Sequence, residues 1–256
     1  MRGPEAFDTY YATLYGERWP ALRDAMKQPA SHVELKLGGS RTYFLDAASV
    51  AAADLMIGAL RTNTETSANP ATPQRLLDLC AAPGGKALVL AAHMGEHATL
   101  TANERSAARR ARLKTVLDEH LPADVRSRVH VTGHDATKWC LYEKDAYDAI
   151  LLDAPCSSER HLLQNPAHLT DWSPARSKQL AQRQYAMLAS ALDVVKIGGC
   201  ILYSTCSINP QENEGVVERL LAKRKGRVGV CHAAITLPDQ QDNQGPLYAC
   251  LLKRYG

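Results

Sequence analysis

The chain lacks any long apolar segment. None of its hydrophobic runs approaches the roughly 20 consecutive residues that a bilayer-spanning helix needs. The first 30 residues also lack the apolar stretch of a secretory signal, and they contain Glu5, Asp8 and Glu17, whereas transit peptides are poor in acids. We therefore expect no membrane span and no leader peptide in this sequence. Import into an organelle stays open, because a removed leader leaves no trace.

Paired cysteines are also absent. The seven cysteines form no CxxC pair, so neither a zinc cage nor any other metal site is expected. Their number is odd and they are widely spaced, which favours a reducing compartment over a disulfide framework. A hydrophobic fraction of 45% is ordinary for a globular protein, and 256 residues allow one large domain with a small extension.

The charge is nearly balanced, with a formal net charge of +3, so a polyanionic partner is permitted but not required. The basic residues are unevenly placed in two clusters. Each cluster fits either a solvated helix face or a nucleic-acid contact, and the solvated face is the commoner case. The clusters are Arg105, Arg109, Arg110, Arg112 and Lys114 in one segment, and Lys223, Arg224, Lys225 and Arg227 in another.

Residues 1–73 are predicted to form a helical and hairpin extension that ends in a linker. Apolar residues at helical spacing predict an amphipathic helix over 7–27, which Pro20 breaks or restarts. Two short strands are expected within 32–45, around a pair of glycines. The remainder is expected to contain an N-cap at Asp46, an alanine-rich helix to Leu60 and a polar loop over 61–73.

Residues 74–256 show strand patterns that alternate with helix patterns. This alternation predicts an α/β fold with a doubly wound, mostly parallel, Rossmann-like sheet and helices on both faces. The run YDAILLD over 147–153 is apolar almost throughout, as expected of a central strand that is covered on both sides. A long loop over 154–175 and a helix that begins at Asn209 are also expected.

Three successive strand ends carry groups suited to a nucleoside ligand. The turn DLCAAPGGK contains Gly84 and Gly85, where small residues let backbone amides approach a ligand, although it matches neither GxGxxG nor a P-loop. Glu104 follows the second strand, where a carboxylate can accept from ribose hydroxyls, and Asp135 follows the third. Either acid alone is more often a helix cap or a solvated turn residue, but the series favours an adenosine-containing cofactor.

Two cysteines follow the fourth and fifth strands. Cys156 ends the stiff turn that begins at Asp153 and contains Pro155, and Cys206 lies in the short turn STCS. The carboxyl ends of parallel strands meet at one edge of the sheet, close to the expected cofactor. The other five cysteines are expected to be buried, inert thiols. This pair, with an aspartate beside it, indicates a thiol nucleophile with an acid–base neighbour.

The strings DLCAAPGGK, DAPCS and YSTCS resemble those of the S-adenosylmethionine-dependent RNA cytosine-5 methyltransferases of the Sun (Fmu-like) family. The three motifs have the family's order and spacing, and the resemblance covers most of the chain. The stretches YFLDAAS, HLL after DAPCSSER, and FDTYY with ERWPALR are similar to the mitochondrial ribosomal-RNA branch. The resemblance implies a methyltransferase sheet, S-adenosyl-L-methionine as cofactor, ribosomal RNA or an assembling subunit as substrate, and the mitochondrial matrix, with the cytoplasm as the alternative location.

The resemblance also implies roles for single residues. Cys206 would attack carbon 6 of cytosine, so that carbon 5 can accept the methyl group. Asp153 would hydrogen-bond the base edge, and Lys86 would also reach the cytosine. Cys156 would assist loss of the carbon 5 proton and release of the product. By the same motif match, the cofactor site would consist of Cys80, Ala81, Pro83, Gly84, Gly85, Lys86, Glu104, Arg109, Asp135, Ala136 and Asp153.

The sequence departs from the family pattern at two points. Glu104 replaces the more usual aspartate, which keeps the carboxylate on a longer arm. No separate RNA-binding domain is visible, so weak binding of free RNA is expected, because phosphate contacts supply most non-specific affinity. The mitochondrial branch uses a helical-repeat partner related to transcription termination factors, and we expect one here. Two alternatives stay open: methylation of transfer or messenger RNA, and a ribosome-assembly factor that uses the fold as a binding module.

Overall fold

The computed structural model describes residues 2–65 and 73–256. In the first of these segments, the predicted amphipathic helix is divided in two by a short 3₁₀ turn. Pro20 lies in the first turn of the second helix, where its missing N–H has no intrahelical partner to lose, so the helix restarts at the proline. The elements are α1 (Pro4–Tyr15), α2 (Trp19–Lys27), an antiparallel hairpin of β1 (His32–Leu35) and β2 (Tyr43–Asp46), and α3 (Ala47–Glu65).

The predicted N-cap at Asp46 is confirmed. Its Oδ1 accepts hydrogen bonds from the N–H groups of Ala48 and Ser49, at 2.9 and 3.2 Å. Helix α3 runs past the expected end at Leu60, so the first part of the expected loop is helical. The rest of that loop, 66–72, lies outside the described residues. The division of the chain at residue 73 stays a prediction.

A seven-stranded sheet forms the centre of the second segment. Five neighbouring strands are parallel, and the strand Leu247–Arg254 runs antiparallel to both of its neighbours, which agrees with the predicted mostly parallel sheet. The strands are β3 (Arg75–Asp78), β4 (Thr99–Asn103), β5 (Val129–Thr132), β6 (Tyr147–Asp153), β7 (Val195–Thr205), β8 (Val228–Thr236) and β9 (Leu247–Arg254). Their order is β5–β4–β3–β6–β7–β9–β8.

Helices cover both faces of the sheet, and alternate strand residues supply both cores. Leu76 packs in one core, beneath α3, and its neighbour Leu77 packs in the other. The remaining helices are α4 (Gly85–His93), α5 (Ala107–His120), α6 (Ala123–Ser127), α7 (Glu159–Gln164), α8 (Pro174–Val194) and α9 (Glu214–Lys223). None of the helices in these described parts of the chain combines the length and apolarity that crossing a bilayer requires.

The segment expected to be a long loop is partly helical. Residues 154–175 contain α7 and a short 3₁₀ turn over Pro166–Leu169. Leu162 and Leu163 of α7 pack with Trp172 and the aromatic residues of α1 in a third core, so buried apolar contacts order this segment.

The expected start of α9 at Asn209 is wrong by five residues. The Asn209 side chain instead accepts a hydrogen bond from the N–H of Gln211 at 3.0 Å. The carbonyl of Pro210 accepts from the N–H of Gly215 at 2.9 Å. These local bonds hold a turn, and the regular helix begins only at Glu214.

Candidate active site

Two pockets lie at the edge of the sheet where β3, β4, β6 and β7 end. One, about 420 Å³, is called the Glu104 pocket and is lined by Leu79, Cys80, Asn103, Glu104, Arg105, Ser106, Arg109, His134, Ala136, Pro155, Arg183 and Met187. The other, about 360 Å³, is called the cysteine pocket. Its polar and charged lining includes Asp46, Asp78, Cys80, Lys86, Asp153, Ser158, Arg160, His161 and Cys206. Because Cys80 lines both, the two pockets are side by side.

The two predicted cysteines meet at this edge. Cys156 Sγ lies 3.1 Å from Cys206 Sγ, and the backbone of Ala154 donates to the carbonyl of Ser204 at 2.8 Å, which joins the two strand ends. Cys206 is exposed and Cys156 is half-buried. The fold therefore brings together two thiols that are 50 residues apart in the sequence.

The contact between the thiols makes them unequal. Hydrogen bonding with Cys156 lowers the pKa of Cys206, a hydrogen bond from Ser158 acts in the same direction, and together they outweigh the loss of hydration caused by the atoms packed around this otherwise exposed residue. The same contact, followed by burial, raises the pKa of Cys156 well above its ordinary value. Cys206 is thus favoured as the thiolate, with Cys156 as its donor, and a lowered thiol pKa is the mark of a reactive cysteine.

Ser158 holds the Cys206 sulfur from a second side. Its Oγ lies 3.1 Å from Cys206 Sγ and 3.5 Å from Cys156 Sγ. Its backbone has φ of 56°, in the left-handed region that side chains other than glycine rarely adopt. Sequence reasoning did not select Ser158, since a serine two residues past a cysteine carries no signal of this geometry.

Asp153 and Lys86 form a paired charge in the cysteine pocket. Lys86 Nζ lies 2.8 Å from Asp153 Oδ2, and the hydroxyl of Ser204 donates to Asp153 Oδ1 at 2.8 Å. Burial works to lower the pKa of Lys86, but the Asp153 carboxylate outweighs it and the pKa is raised. Lys86 therefore stays cationic, and it orients the carboxylate of Asp153, which the sequence analysis expected beside the cysteines.

Asp78 is a buried acid of the cysteine pocket that the sequence analysis did not select. Its carboxyl is 1% exposed and accepts a hydrogen bond from the N–H of Cys80 at 3.2 Å. Burial, and then the nearby charge of Asp153, raise the pKa of Asp78 to about 8. The signal that could have found it is its position as the last residue of the first strand of the parallel sheet.

The Glu104 pocket is built around a carboxylate that is nearly buried. Glu104 Oε1 accepts from the N–H of Ser106 at 2.8 Å, and its Oε2 lies 3.2 Å from Arg109 Nη1. Arg109 also donates to the carbonyl of Ala82 at 2.7 Å. Arg109 thereby links the acid after β4 to the turn after β3, and both predicted residues lie in the pocket wall.

Asn103 fixes the floor of this pocket, and the sequence analysis did not select it. Its Nδ2 donates to the carbonyls of Leu79 and His134 at 3.0 Å each. Its Oδ1 accepts from the N–H of His134 and the hydroxyl of Thr132 at 2.8 and 3.0 Å. One buried amide therefore ties the ends of β3, β4 and β5 together.

Asp135 lies next to the Glu104 pocket, whose wall includes its neighbour Ala136. The carboxylate of Asp135 bonds to residues close by. Its Oδ1 accepts from the N–H and the hydroxyl of Thr137 at 3.0 and 2.8 Å, and its Oδ2 lies 3.2 Å from Arg105 Nη1. Partial burial opposes ionisation, but the bonds from Thr137 outweigh it and lower the pKa of Asp135. A role for Asp135 toward a cofactor stays a prediction.

The predicted glycine turn lies between the two pockets, with Ala81, Pro83 and Gly85 in the wall of the cysteine pocket. Gly84 has φ of +130°, and a Cβ there would lie 2.8 Å from Val116 Cγ1. A Cβ on Gly85 would lie 2.5 Å from Leu45 Cδ1. The positive φ therefore favours glycine at position 84, and a side chain at either position would displace side chains of α5 or the hairpin.

The strand order and the paired pockets at the carboxyl edge define a Rossmann-like methyltransferase fold. A methyltransferase homologue from Pyrococcus horikoshii has this fold, with a TM-score of 0.70 over 96% of this chain and 93% of that chain, at 19% identity. The chain belongs to the 16S rRNA methyltransferase RsmB/F family, whose model matches residues 66–246. The family resemblance seen in the motifs is thus confirmed.

Two curated relatives place the chain more closely. It is 35% identical over 207 residues to the 5-cytosine rRNA methyltransferase NSUN4 of Mus musculus, which is 70% of this chain and 54% of that protein. It is 39% identical over 144 residues to the ribosomal RNA small subunit methyltransferase F of Shigella dysenteriae, covering 56% of this chain and 29% of that protein. The chain therefore spans about half the length of the mouse relative.

Proposed function

We propose that the protein is an S-adenosylmethionine-dependent RNA methyltransferase that methylates carbon 5 of a cytosine in ribosomal RNA. The observation that carries the proposal is the thiol pair: Cys156 Sγ lies 3.1 Å from Cys206 Sγ, in the neighbourhood of the Lys86–Asp153 ion pair. Membership of the RsmB/F family and similarity to a 5-cytosine rRNA methyltransferase support the same reaction and substrate.

The two adjoining pockets fit an elongated, cationic nucleoside cofactor. In this proposal Glu104 accepts hydrogen bonds from ribose hydroxyls, and Ala136 lies in the same wall. The carboxylate of Asp153 suits a cationic group in the cysteine pocket, on the other side of Cys80. When bound there, S-adenosyl-L-methionine supplies an electrophilic methyl group.

Cys206 acts as the nucleophile in this proposal. Its lowered pKa favours the thiolate, and its side chain is exposed in the pocket. Addition of the thiolate to carbon 6 of a cytosine turns carbon 5 into an enamine carbon, which is nucleophilic enough to take a methyl group. Asp153 retains free lone pairs beside Lys86 and Ser204, so it can also accept from the exocyclic amine of the base.

Cys156 acts after the methyl transfer. Its pKa is raised chiefly by the hydrogen bond with Cys206. Once the Cys206 sulfur is bonded to carbon 6, it no longer carries the thiolate charge that holds the Cys156 proton. Cys156 then ionises more easily and can take the proton from carbon 5, which allows the carbon–sulfur bond to break. The two thiols thus have successive roles, and each depends on the state of the other.

Ribosomal RNA would be held by basic residues outside the pockets. Arg109 and Arg110 are bonded to neighbouring groups of the Glu104 pocket, whereas Arg112 and Lys114 are exposed on α5. The modest net charge of +3 implies weak binding of free RNA, because phosphate contacts supply most non-specific affinity. A helical-repeat partner and a location in the mitochondrial matrix are proposals that rest on the sequence resemblance. The cytoplasm is the alternative location.

The trapping of an RNA adduct tests the reaction. In Cys156→Ala, attack by Cys206 and methyl transfer can proceed, but release cannot, so a covalent complex with RNA should accumulate and survive denaturing electrophoresis. Cys156→Ala with Cys206→Ala should give no adduct, and Cys231→Ala, which alters an exposed cysteine on an edge strand, should behave as the unaltered protein. Absence of any adduct with assembling ribosomal RNA would instead favour a binding module without turnover.

Bisulfite sequencing after depletion of the protein tests the substrate. Loss of one methylated cytosine in ribosomal RNA is expected, and loss confined to transfer or messenger RNA would contradict the proposed substrate. Efficient, single-site methylation of naked ribosomal RNA by the isolated protein would argue against the need for a partner.

A further inference from the structure

Two buried glutamates cross-link the turns that carry the two thiols. Glu159 follows Cys156 in the chain, and Glu212 follows Cys206. Both side chains are fully buried, with 0% exposure. Burial of a carboxyl group is costly unless it gains good hydrogen bonds. Two buried glutamates close to a reaction centre therefore indicate a structural or functional role.

Glu159 reaches from the Cys156 turn to the Cys206 turn. Its Oε2 accepts from the N–H of Ile208 at 3.1 Å, and its Oε1 accepts from the hydroxyl of Ser207 at 3.2 Å. Its Oε1 also accepts from the hydroxyl of Ser157, in the turn of Cys156 itself. One carboxylate therefore holds the residue after each cysteine.

Glu212 makes the reverse connection. Its Oε2 accepts from the N–H of Ser157 at 3.0 Å and from Gln184 Nε2 at 2.9 Å. The hydroxyls of Ser157 and Ser207 are themselves 2.9 Å apart. Glu159, which follows Cys156, thus bonds to the turn of Cys206, and Glu212, which follows Cys206, bonds to the turn of Cys156. We call Glu159 and Glu212 together the glutamate bridge.

The bridge also joins the amino-terminal helix to this centre. The hydroxyl of Tyr11 in α1 donates to Glu159 Oε1 at 2.5 Å, across 148 positions of sequence. Tyr11 is fully buried among the aromatic residues of the third core. The position of Glu159 is therefore fixed by packing that lies outside the sheet.

We propose that the glutamate bridge is a positioning device that sets the distance between the sulfur atoms of Cys156 and Cys206. Neither glutamate lines the cysteine pocket, so neither touches a substrate there. The thiol contact of 3.1 Å is short and needs both turns in register. The proposal rests on the proposed function, because it assigns to that reaction the residues that hold its nucleophile and its donor together.

The test is the Glu159→Gln variant. Gln keeps the size of Glu but replaces one acceptor oxygen with an N–H₂ group, which opposes either the N–H of Ile208 or the hydroxyl donors. We expect the alkylation of Cys206 by iodoacetamide to shift to higher pH, with the rate at pH 7 reduced about ten-fold. The rate is measured by mass spectrometry on the tryptic peptide of residues 197–219. Turnover on RNA should fall about 100-fold, with the affinity for S-adenosylmethionine unchanged.

Two further variants keep the outcome decisive if Glu159→Gln folds poorly. Ser207→Ala removes one link of the bridge and should shift the alkylation profile in the same direction by less. Glu143→Gln is the matched control. Glu143 accepts bonds from Trp139, Tyr147 and Arg75 at the opposite edge of the sheet, so its loss should lower stability without moving the profile.

The alkylation readout needs no RNA, so it separates this proposal from the proposed function. An unchanged alkylation profile in both Glu159→Gln and Ser207→Ala would overturn the positioning role, even if methylation were confirmed. An equal shift in Glu143→Gln would reduce the effect to general destabilisation and would also overturn it. A shifted profile in a protein that methylates no RNA would support the bridge and contradict the proposed function.

Discussion

The cysteine pocket and the Glu104 pocket are held together in different ways. Polar groups of the cysteine pocket bond to side chains far away in the sequence, as in the Lys86–Asp153 and Cys156–Cys206 pairs. The carboxylate of Glu104 instead bonds to a backbone N–H two residues away and to an arginine in the following turn. The geometry of the thiols therefore depends on the whole fold, whereas the orientation of the Glu104 carboxylate depends on local turns.

This difference predicts separable effects of substitution. Changes at the two thiols and at the residues that position them should alter the reactivity of the thiols and the turnover while leaving cofactor affinity nearly intact. Changes in the Glu104 pocket should weaken cofactor binding and leave the thiols as reactive as before.

The largest effect is expected from Cys206→Ala. Removal of a covalent nucleophile eliminates the pathway, so methylation should fall by at least about four orders of magnitude. Cofactor affinity, measured by isothermal titration calorimetry, should not change, because Cys206 is not among the residues that the motif match assigns to the cofactor and lies outside the wall of the Glu104 pocket. Turnover within ten-fold of the unaltered protein would show that Cys206 is not the nucleophile.

Asp78 is expected to give the next largest effect, on stability. Its pKa is raised from 3.8 to about 8, so the folded protein keeps a proton that the unfolded chain releases near pH 4. The stability contributed by Asp78 is therefore present below pH 4 and is lost as pH rises toward 8. Asp78→Asn removes this loss, which by linkage amounts to roughly 5 kcal/mol over that interval.

Urea unfolding at several pH values between 5 and 8 measures the effect of Asp78→Asn. The free energy of unfolding of the unaltered protein should decline relative to the variant as pH rises. Other titrating groups are common to both proteins and cancel in the difference. If the free energies of unfolding of the two proteins changed with pH in parallel across this range, a raised pKa at Asp78 would be contradicted.

The contrast between the pockets also explains what the sequence could predict. Strand ends follow from apolar runs bounded by small residues, so the positions of Cys156, Cys206 and Glu104 at one edge were foreseeable. Local caps follow from single residues, as with Asp46. These features depend on neighbours within a few positions, which a sequence displays directly.

Contacts between distant residues could not be predicted in this way. Glu159 bonds to Ser207 across 48 positions and to Tyr11 across 148, and no pattern near Glu159 marks either partner. The α7 helix was missed for the same reason, because its ordering depends on packing against α1. Asp78 was overlooked because its raised pKa comes from burial under the completed fold.

Glu104→Gln should reduce cofactor affinity. A hydrogen bond to a charged group contributes about 1.5–3 kcal/mol, so binding of S-adenosylmethionine should weaken roughly 10- to 100-fold. Glu104→Asp, which keeps the carboxylate on a shorter arm, is the matched variant and should bind more tightly than Glu104→Gln. The pH profile of Cys206 alkylation should be the same in both variants as in the unaltered protein. A shifted profile would show that the Glu104 pocket also affects the reactivity of the thiols.

Asp135→Ala is expected to have the smallest effect. Because the carboxylate is engaged by Thr137 and Arg105, its removal should cost about 1 kcal/mol of stability, as the loss of a cap does, and should weaken cofactor binding less than Glu104→Gln. Thr137→Ala removes the hydroxyl donor and leaves the carboxylate, so it separates the cap from the ligand contact. If cofactor affinity fell as far in Asp135→Ala as in Glu104→Gln, but not in Thr137→Ala, Asp135 would belong with Glu104 as a direct contact to the cofactor.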